Sequence, residues 1–442
     1  MTKTRMFEML DQARRSTFVR HNAIFFFGSV AVGALNYLYY PILGRLLEPA
    51  VFGEVQALVS IFLQLTIFLN VLSMITVNIV SNYDDSQKAN KVVSELEKLA
   101  LLLSMALVVV VVIGMQPLQH FFKFESGLPF VALALAFVVS VPLAFRTAYV
   151  RARQKFGAAS AINLFGAVGK LIASVALVLI GWGTLGAIGG IIAAQGLAFG
   201  FAAWHAARLG FERPPDSPRL HRVDLGVVRP ELKYAALVFV GTMVITLFYS
   251  IDIIVVKHYF DAHTAGLYAG IATVARIIFF LTMSISQVMM PAIQLKQSAR
   301  ANRGVLVKSL ALNGVIGGVA LAVFVLAPRL VIEILMGEKY LEYANLLPGL
   351  GVAIFIISIL NLFVTYYIAL RRYIIAIIGI MSAGVAFGLM LVHHQTLQAV
   401  VESLLLGSIA MVCLLGISVG VNKLKRRTSD DAEIHIDNST RL

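Results

Sequence analysis

Cysteine is almost missing from this chain: Cys413 is the only one in 442 residues, and it lies inside an apolar run. That excludes a disulfide framework and a thiolate metal site. Charge is scarce as well, at 13% of residues, and the 23 acidic side chains are outnumbered by 36 lysines and arginines. No Asp-x-Asp pair or recognisable nucleophile motif occurs, and the outer connections are short, the longest running over about 329–344. A membrane glycosyltransferase or oligosaccharide polymerase, which needs a wet site with acids, bases or a metal, is therefore not expected. His393 and His394 fall in a short turn without further ligands, so no metal site is expected there.

What the chain has in abundance is apolar sequence, with 59% hydrophobic residues and a mean hydropathy of +0.86. The runs 22–44, 99–122, 126–145 and 309–328 carry no charge, and each exceeds the ~18 residues that cross hydrocarbon as a helix. Lipid demands that backbone groups pair within the segment, and these runs lack the alternation of a barrel strand, so the spans are helices. Twelve are predicted, over 22–46, 52–82, 98–118, 127–150, 157–181, 184–206, 233–258, 264–292, 305–328, 345–370, 373–392 and 396–421. The first follows a basic segment (Lys3, Arg5, Arg14, Arg15, Arg20) but is too long for a signal-peptide core and has no small-x-small cleavage site. It is expected to be a retained span.

Most lysines and arginines fall in segments that share one side of the membrane if both termini are cytoplasmic, while Arg45, Lys123, Lys257, Arg329 and Lys339 fall on the other. This asymmetry predicts cytoplasmic termini. The net charge of +13 then reflects topology and attraction to anionic lipid, not a nucleic-acid surface, because the basic residues are spread over many short segments. Residues 1–21 read as an amphiphilic segment on the cytoplasmic surface. Residues 422–442 read as a disordered polar tail.

The longest cytoplasmic connection, 207–232, carries Pro214, Pro215 and Pro218 and separates six-helix units at 22–206 and 233–421. The units match each other. "LLEPAVFGEVQA" (46–57) aligns with "YFDAHTAGLYAG" (259–270), pairing Leu47 with Phe260, Glu48 with Asp261 and Gly53 with Gly266. "FRTAYVRAR" (145–153) aligns with "FVTYYIALR" (363–371), sharing Phe, Thr, Tyr and Arg at identical spacing. An even number of helices per unit puts both in the membrane in the same sense, so the pseudo-two-fold axis runs along the membrane normal.

The loop "GRLLEPAVFGEVQAL", its partner "FDAHTAGLYAGIATVARI", "MMPAI" (289–293) and "VIEILMGEKYLEYANLLPGL" together resemble the O-antigen type oligosaccharide flippases. These form part of the polysaccharide transporter family in the multidrug/oligosaccharidyl-lipid/polysaccharide exporter superfamily. The resemblance implies an all-α, V-shaped exporter of two pseudo-symmetric six-helix lobes that needs no cofactor. It also implies a load, polyprenyl-diphosphate-linked oligosaccharide, moved from the inner to the outer leaflet by alternating access. The implied partners are that substrate, membrane lipid, and glycan-polymerising and export proteins; the implied location is the bacterial cytoplasmic membrane.

Two cations lie near mid-membrane. Arg276 is twelve residues into the eighth helix, roughly 18 Å from its outer end at about 1.5 Å per residue, and Lys170 is about equally deep in the fifth helix. A charge there costs at least ~2.5–3.5 kcal/mol on insertion scales, so it persists where it faces a partner or water. One reading has Arg276 and Lys170 attract the diphosphate within a central cavity; the other has each pair or snorkel and steady helix packing. Asp252 on the seventh helix has two competing roles, a standing counter-ion to Arg276 or an ion-loading group that couples transport to a gradient. Arg45 and Lys257 are candidate cavity-mouth cations or interfacial snorkellers. Arg146, Arg151, Arg153, Arg371 and Arg372 are candidates for diphosphate entry at the cytoplasmic face or plain topology determinants. Asn36, Gln64, Asn70, Asn78, Asn163, Gln195 and Asn361, with Tyr366 and Tyr367, serve either a sugar-binding surface or interhelical hydrogen bonds. A multidrug antiporter of the same superfamily shares the fold, but its organic-cation cavity should be rich in acids or aromatic faces. A scramblase without directed transport is a third class.

Overall fold

The computed structural model describes residues 28, 31–83, 85–212, 225–295 and 297–417. The segment 1–21, the tail 422–442 and residues 213–224 of the linker lie outside the described residues. Every regular element among the described residues is helical. Eleven helices are long and apolar enough to cross a membrane, and the helix over 31–46 is the described part of the expected first span.

The N-terminal lobe comprises α1 (31–46), α2 (Pro49–Asn82), α3 (Ser86–Ile113), the short α4 (Met115–Phe122), α5 (Leu128–Ala152), α6 (Phe156–Leu179) and α7 (Gly183–Arg208). The C-terminal lobe comprises α8 (Leu225–Tyr259), α9 (Ala262–Ala275), α10 (Ile277–Ala292), α11 (Ala299–Leu326), α12 (Pro328–Leu335), a 3-10 segment (Glu338–Leu346), α13 (Leu347–Ala369), α14 (Ile374–Val392) and α15 (Leu397–Ile417). Proline in the first turn starts α2, α5, α12 and α13, where its missing N–H has no intrahelical partner to lose. The third span begins well before its apolar run. The Asp85 carboxylate accepts from the amides of Gln87 and Lys88, so α3 takes in the polar stretch that hydropathy alone leaves out.

The expected eighth span is two segments. α9 and α10 join at Arg276, whose φ of −67° and ψ of −9° break the regular ladder. The two tryptophans stand at opposite ends of α7, Trp182 at its N-cap and Trp204 near its C-terminus, both about half exposed. Their separation of roughly 33 Å at about 1.5 Å per residue matches a hydrocarbon core of ~30 Å with an aromatic residue at each interface.

The lobes meet where α2 and α9 begin. Gly53 and Gly266, paired by the internal repeat, touch each other here: a Cβ on Gly53 would lie 2.9 Å from the Gly266 Cα, and one on Gly266 would run into the Pro49 carbonyl. Only glycine allows two helix starts to cross this closely. The same end is tied by reciprocal capping. Arg45, at the end of α1, donates to the carbonyls of Glu333, Ile334 and Leu335 in the last turn of α12. Lys339 donates to the carbonyls of Arg45 and Leu47, and the Tyr340 hydroxyl donates to that of Gly44. Carbonyls at helix C-termini lack intrahelical donors, so each lobe satisfies the other's.

Candidate functional site

Behind this seal the lobes enclose a cavity of about 560 Å³. The N-terminal lobe lines it with Asn36, Tyr39 and Tyr40 of α1, Thr66 and Asn70 of α2, Asn163 and Lys170 of α6, and Gln195 of α7. The C-terminal lobe adds Thr242, Thr246 and Tyr249 of α8 and Phe279, Phe280 and Met283 of α10. Lys170 is the one charged side chain among these lining residues, and none is a carboxylate. The amides therefore collect on the N-terminal lobe, while both lobes contribute aromatic surface.

Among the described residues no carboxylate pairs with Lys170. Its ammonium donates to Asn36 Oδ1 at 2.6 Å and lies 4.4 Å from the Tyr39 ring centre and 5.9 Å from that of Tyr40. The Tyr39 hydroxyl is anchored on the Ala187 carbonyl of α7 at 3.3 Å. Cation–π attraction and one amide oxygen thus stabilise the charge at the cavity wall.

Arg276 stands one layer behind that wall. Tyr40, Tyr249 and Phe280 line both the cavity and a small chamber of about 10 Å³ where Arg276 meets Gln56, Ser60 and Thr273. That space suits about one water molecule. Arg276 is 4% exposed. Its Nη2 donates to Asp252 Oδ1 at 2.7 Å and its Nε to the Tyr249 carbonyl at 2.8 Å. The Tyr268 hydroxyl donates to Asp252 Oδ2 at 2.8 Å, so the fully buried carboxylate is held on both oxygens. Arg276 Nη1 is buried without a partner. The break between α9 and α10 aims the guanidinium at α8, where the carboxylate lies. A cation in the low-dielectric interior takes the nearest fixed anion.

The remaining sequence candidates are distributed over both ends. Arg45 bridges the lobes as described above. Lys257 is 1% exposed, has no hydrogen-bond partner on Nζ, and lies 5.0 Å from the Phe124 ring centre. Arg146 is buried and holds Glu97 of α3 through two hydrogen bonds of 2.8 and 3.1 Å while stacking on Phe211. Arg151 has a buried Nε without a partner. Arg153 donates to the Tyr149 hydroxyl at 3.0 Å and to Ser86 Oγ at 3.3 Å. Arg371 lies over the Tyr234 ring, and Arg372 is exposed.

Of the amides, Asn36, Asn70, Asn163 and Gln195 gather around the cavity, while Gln64 donates to Ser250 across the lobes at 3.0 Å. Asn78 accepts from Asn82, and Asn361 donates to Ser286 at 2.9 Å. Sequence reasoning passed over Tyr39, Tyr40 and Tyr249. The signal was present in "YLYY" (37–40), where Tyr39 and Tyr40 share the helix face of Asn36 by i+3 and i+4 spacing. It passed over Glu97 too, a carboxylate that opens the long apolar run after Lys98.

Comparison with solved structures places the architecture. The chain is similar to the lipid II flippase MurJ in its inward closed conformation, with 14% identity, a TM-score of 0.72, and coverage of 90% of this chain and 87% of that one. It is similar to an inward-facing multidrug resistance MATE family transporter of the MOP superfamily at 13% identity and TM-score 0.68, covering 89% and 96%. A MOP superfamily transporter from Pyrococcus furiosus matches at 14% identity and TM-score 0.58, covering 92% and 96%. The fold is accordingly that of the MOP superfamily exporters. By sequence the chain belongs to the polysaccharide biosynthesis protein family, whose model matches residues 42–345. Among curated proteins, none matches the sequence.

Proposed function

We propose that this protein is a flippase that carries polyprenyl-diphosphate-linked oligosaccharide from the inner to the outer leaflet of a bacterial cytoplasmic membrane, with both termini cytoplasmic. It would serve assembly of a cell-surface polysaccharide of the O-antigen type by alternating access. The observation that carries this reading is the cavity wall: one lysine, four amides and no carboxylate, in a chain of the polysaccharide biosynthesis family. An anionic headgroup leaves water only where fixed donors replace its hydration, and a glycan needs hydrogen-bonding side chains in the same space. With cytoplasmic termini, the tied end is the outer face, and the load enters from the inner side.

In this reading Lys170 faces the diphosphate directly. Arg276, behind Tyr40 and Tyr249, is held by its counter-ion Asp252 and steadies the helices around the cavity. Arg151, Arg153, Arg371 and Arg372 draw the anionic headgroup toward the cytoplasmic end, whereas Arg146 is taken up by Glu97, and Arg45 and Lys257 belong to the outer mouth. Glycan-polymerising and export proteins would take the product onward. The competing reading, a cation-coupled multidrug antiporter, shares the fold and could use the cavity's aromatic faces, but the wall offers it no acid and places a lysine there instead.

The test is transfer of a fluorescent polyprenyl-diphosphate oligosaccharide across proteoliposomes, beside uptake of an organic cation. Transfer by the parent and its loss in folded Lys170→Ala support the flippase. Uptake of the cation without glycolipid transfer replaces this reading with the antiporter.

A further inference from the structure

The cavity's cation has an amide partner whose orientation follows from chemistry alone. An ammonium only donates hydrogen bonds, so Asn36 must turn its Oδ1, not its Nδ2, toward Lys170 at 2.6 Å. The Asn36 N–H2 group is left as the free end of a side chain that lines the cavity. Lys170 spends one of its three N–H bonds on Asn36 and rests its ammonium against the Tyr39 face, 4.4 Å away. Two ammonium donors and two amide donors then remain, against one acceptor lone pair left on Asn36 Oδ1, so the pair is predominantly a donor.

We infer that Asn36 and Lys170 form a single oxyanion-reading unit, with Asn36 both positioning the lysine and donating to the phosphate of the load. The anion subsite lies wholly on the N-terminal lobe. It is built from α1 and α6 and braced by the Tyr39 hydroxyl on α7. Arg276, committed to Asp252, stays outside it. Asn36 sets specificity by the same logic, since a carboxylate in its place would take the lysine as a counter-ion, remove two donors and turn the unit away from anions. A neutral headgroup gains less from these donors than an anion does, and a cationic one is repelled by the lysine and loses its own hydration.

This inference rests on the proposed function only in taking a phosphate as the load, and its test is equilibrium binding, not transport. Farnesyl diphosphate is titrated into the purified full chain in nanodiscs, with farnesol and inorganic diphosphate as separate arms. The parent is expected to bind farnesyl diphosphate well above farnesol. Asn36→Asp should weaken that binding by about tenfold or more, Asn36→Leu by severalfold, and Lys170→Arg should retain most of it; an Arg276→Lys variant should bind like the parent. Inorganic diphosphate competing for the same site assigns the contact to the anion, and failure to compete overturns the assignment. Parent-like affinity in Asn36→Asp, or no preference for farnesyl diphosphate over farnesol, also overturns the inference. Should Asn36→Asp fail to fold, Asn36→Leu carries the decision alone. Asn36-dependent binding without glycolipid transfer sinks the flippase reading and spares the subsite; transfer that ignores Asn36 does the reverse.

Discussion

Lys170 and Arg276, one per lobe, are the two cations that the apolar runs place near mid-membrane, yet their surroundings differ in kind. Lys170 has an amide oxygen and two aromatic faces, and its remaining donors face open space. Arg276 has a carboxylate, a backbone carbonyl and a chamber the size of one water. In the first no carboxylate among the described lining residues offsets the charge; in the second an ion pair ties α8 to the α9–α10 joint. Depth in the membrane does not separate these two cations; the presence of a counter-ion does.

The comparison is broken most severely at the ion pair. Asp252→Ala strands a buried guanidinium, and the expected loss is about 3–5 kcal/mol, read as a large fall in detergent melting temperature. Adding Arg276→Met to it should restore much of the stability, because the uncompensated charge is gone; an unstable double variant would show that Tyr268 and Tyr249 depend on the pair. Lys170→Ala makes the opposite pattern, a melting temperature close to the parent and at least a tenfold fall in glycolipid transfer.

At the tied end, Gly266→Ala pushes a methyl group into the Pro49 carbonyl. Overpacking of this kind costs about 1–3 kcal/mol, and here it should separate the lobes. A spin-label distance measured across the α1–α12 contact should lengthen in the variant, and an unchanged distribution would place the pivot elsewhere. The smallest effect belongs to the cap of α9. Thr264, through its side chain and amide, and the His263 amide hold the Asp261 carboxyl below the usual carboxylate range. Its contribution is therefore present above the ordinary Asp pKa of about 3.9 and is lost as pH falls through the lowered folded value. Asp261→Ala should cost about 1 kcal/mol at neutral pH and nothing in strong acid, as measured by pH-dependent melting.

Much of the architecture was legible beforehand. Charge-free runs longer than a bilayer crossing admit one backbone solution, and the repeat of Gly53 in Gly266 announced a duplicated unit. Boundaries were less so: α3 starts at Ser86 because Asp85 caps it, and the eighth span divides at Arg276. Asp252 as a neighbour of Arg276 followed from adjacency of their helices, whereas the partner of Arg146 did not, since Glu97 is separated from it by the whole of α4 and most of α5.

Sequence alone determined that the chain is helical, where it meets lipid, and that it is built twice, because these depend on hydropathy, backbone pairing and local spacing. Only the tertiary structure decided which cation is spent and which is free, which amides share a cavity, and that two repeat-related glycines touch. Those outcomes depend on which side chains from distant helices come within hydrogen-bond reach, and a low-dielectric interior makes a contact of a few ångströms decide whether a charge is neutralised or offered to a ligand.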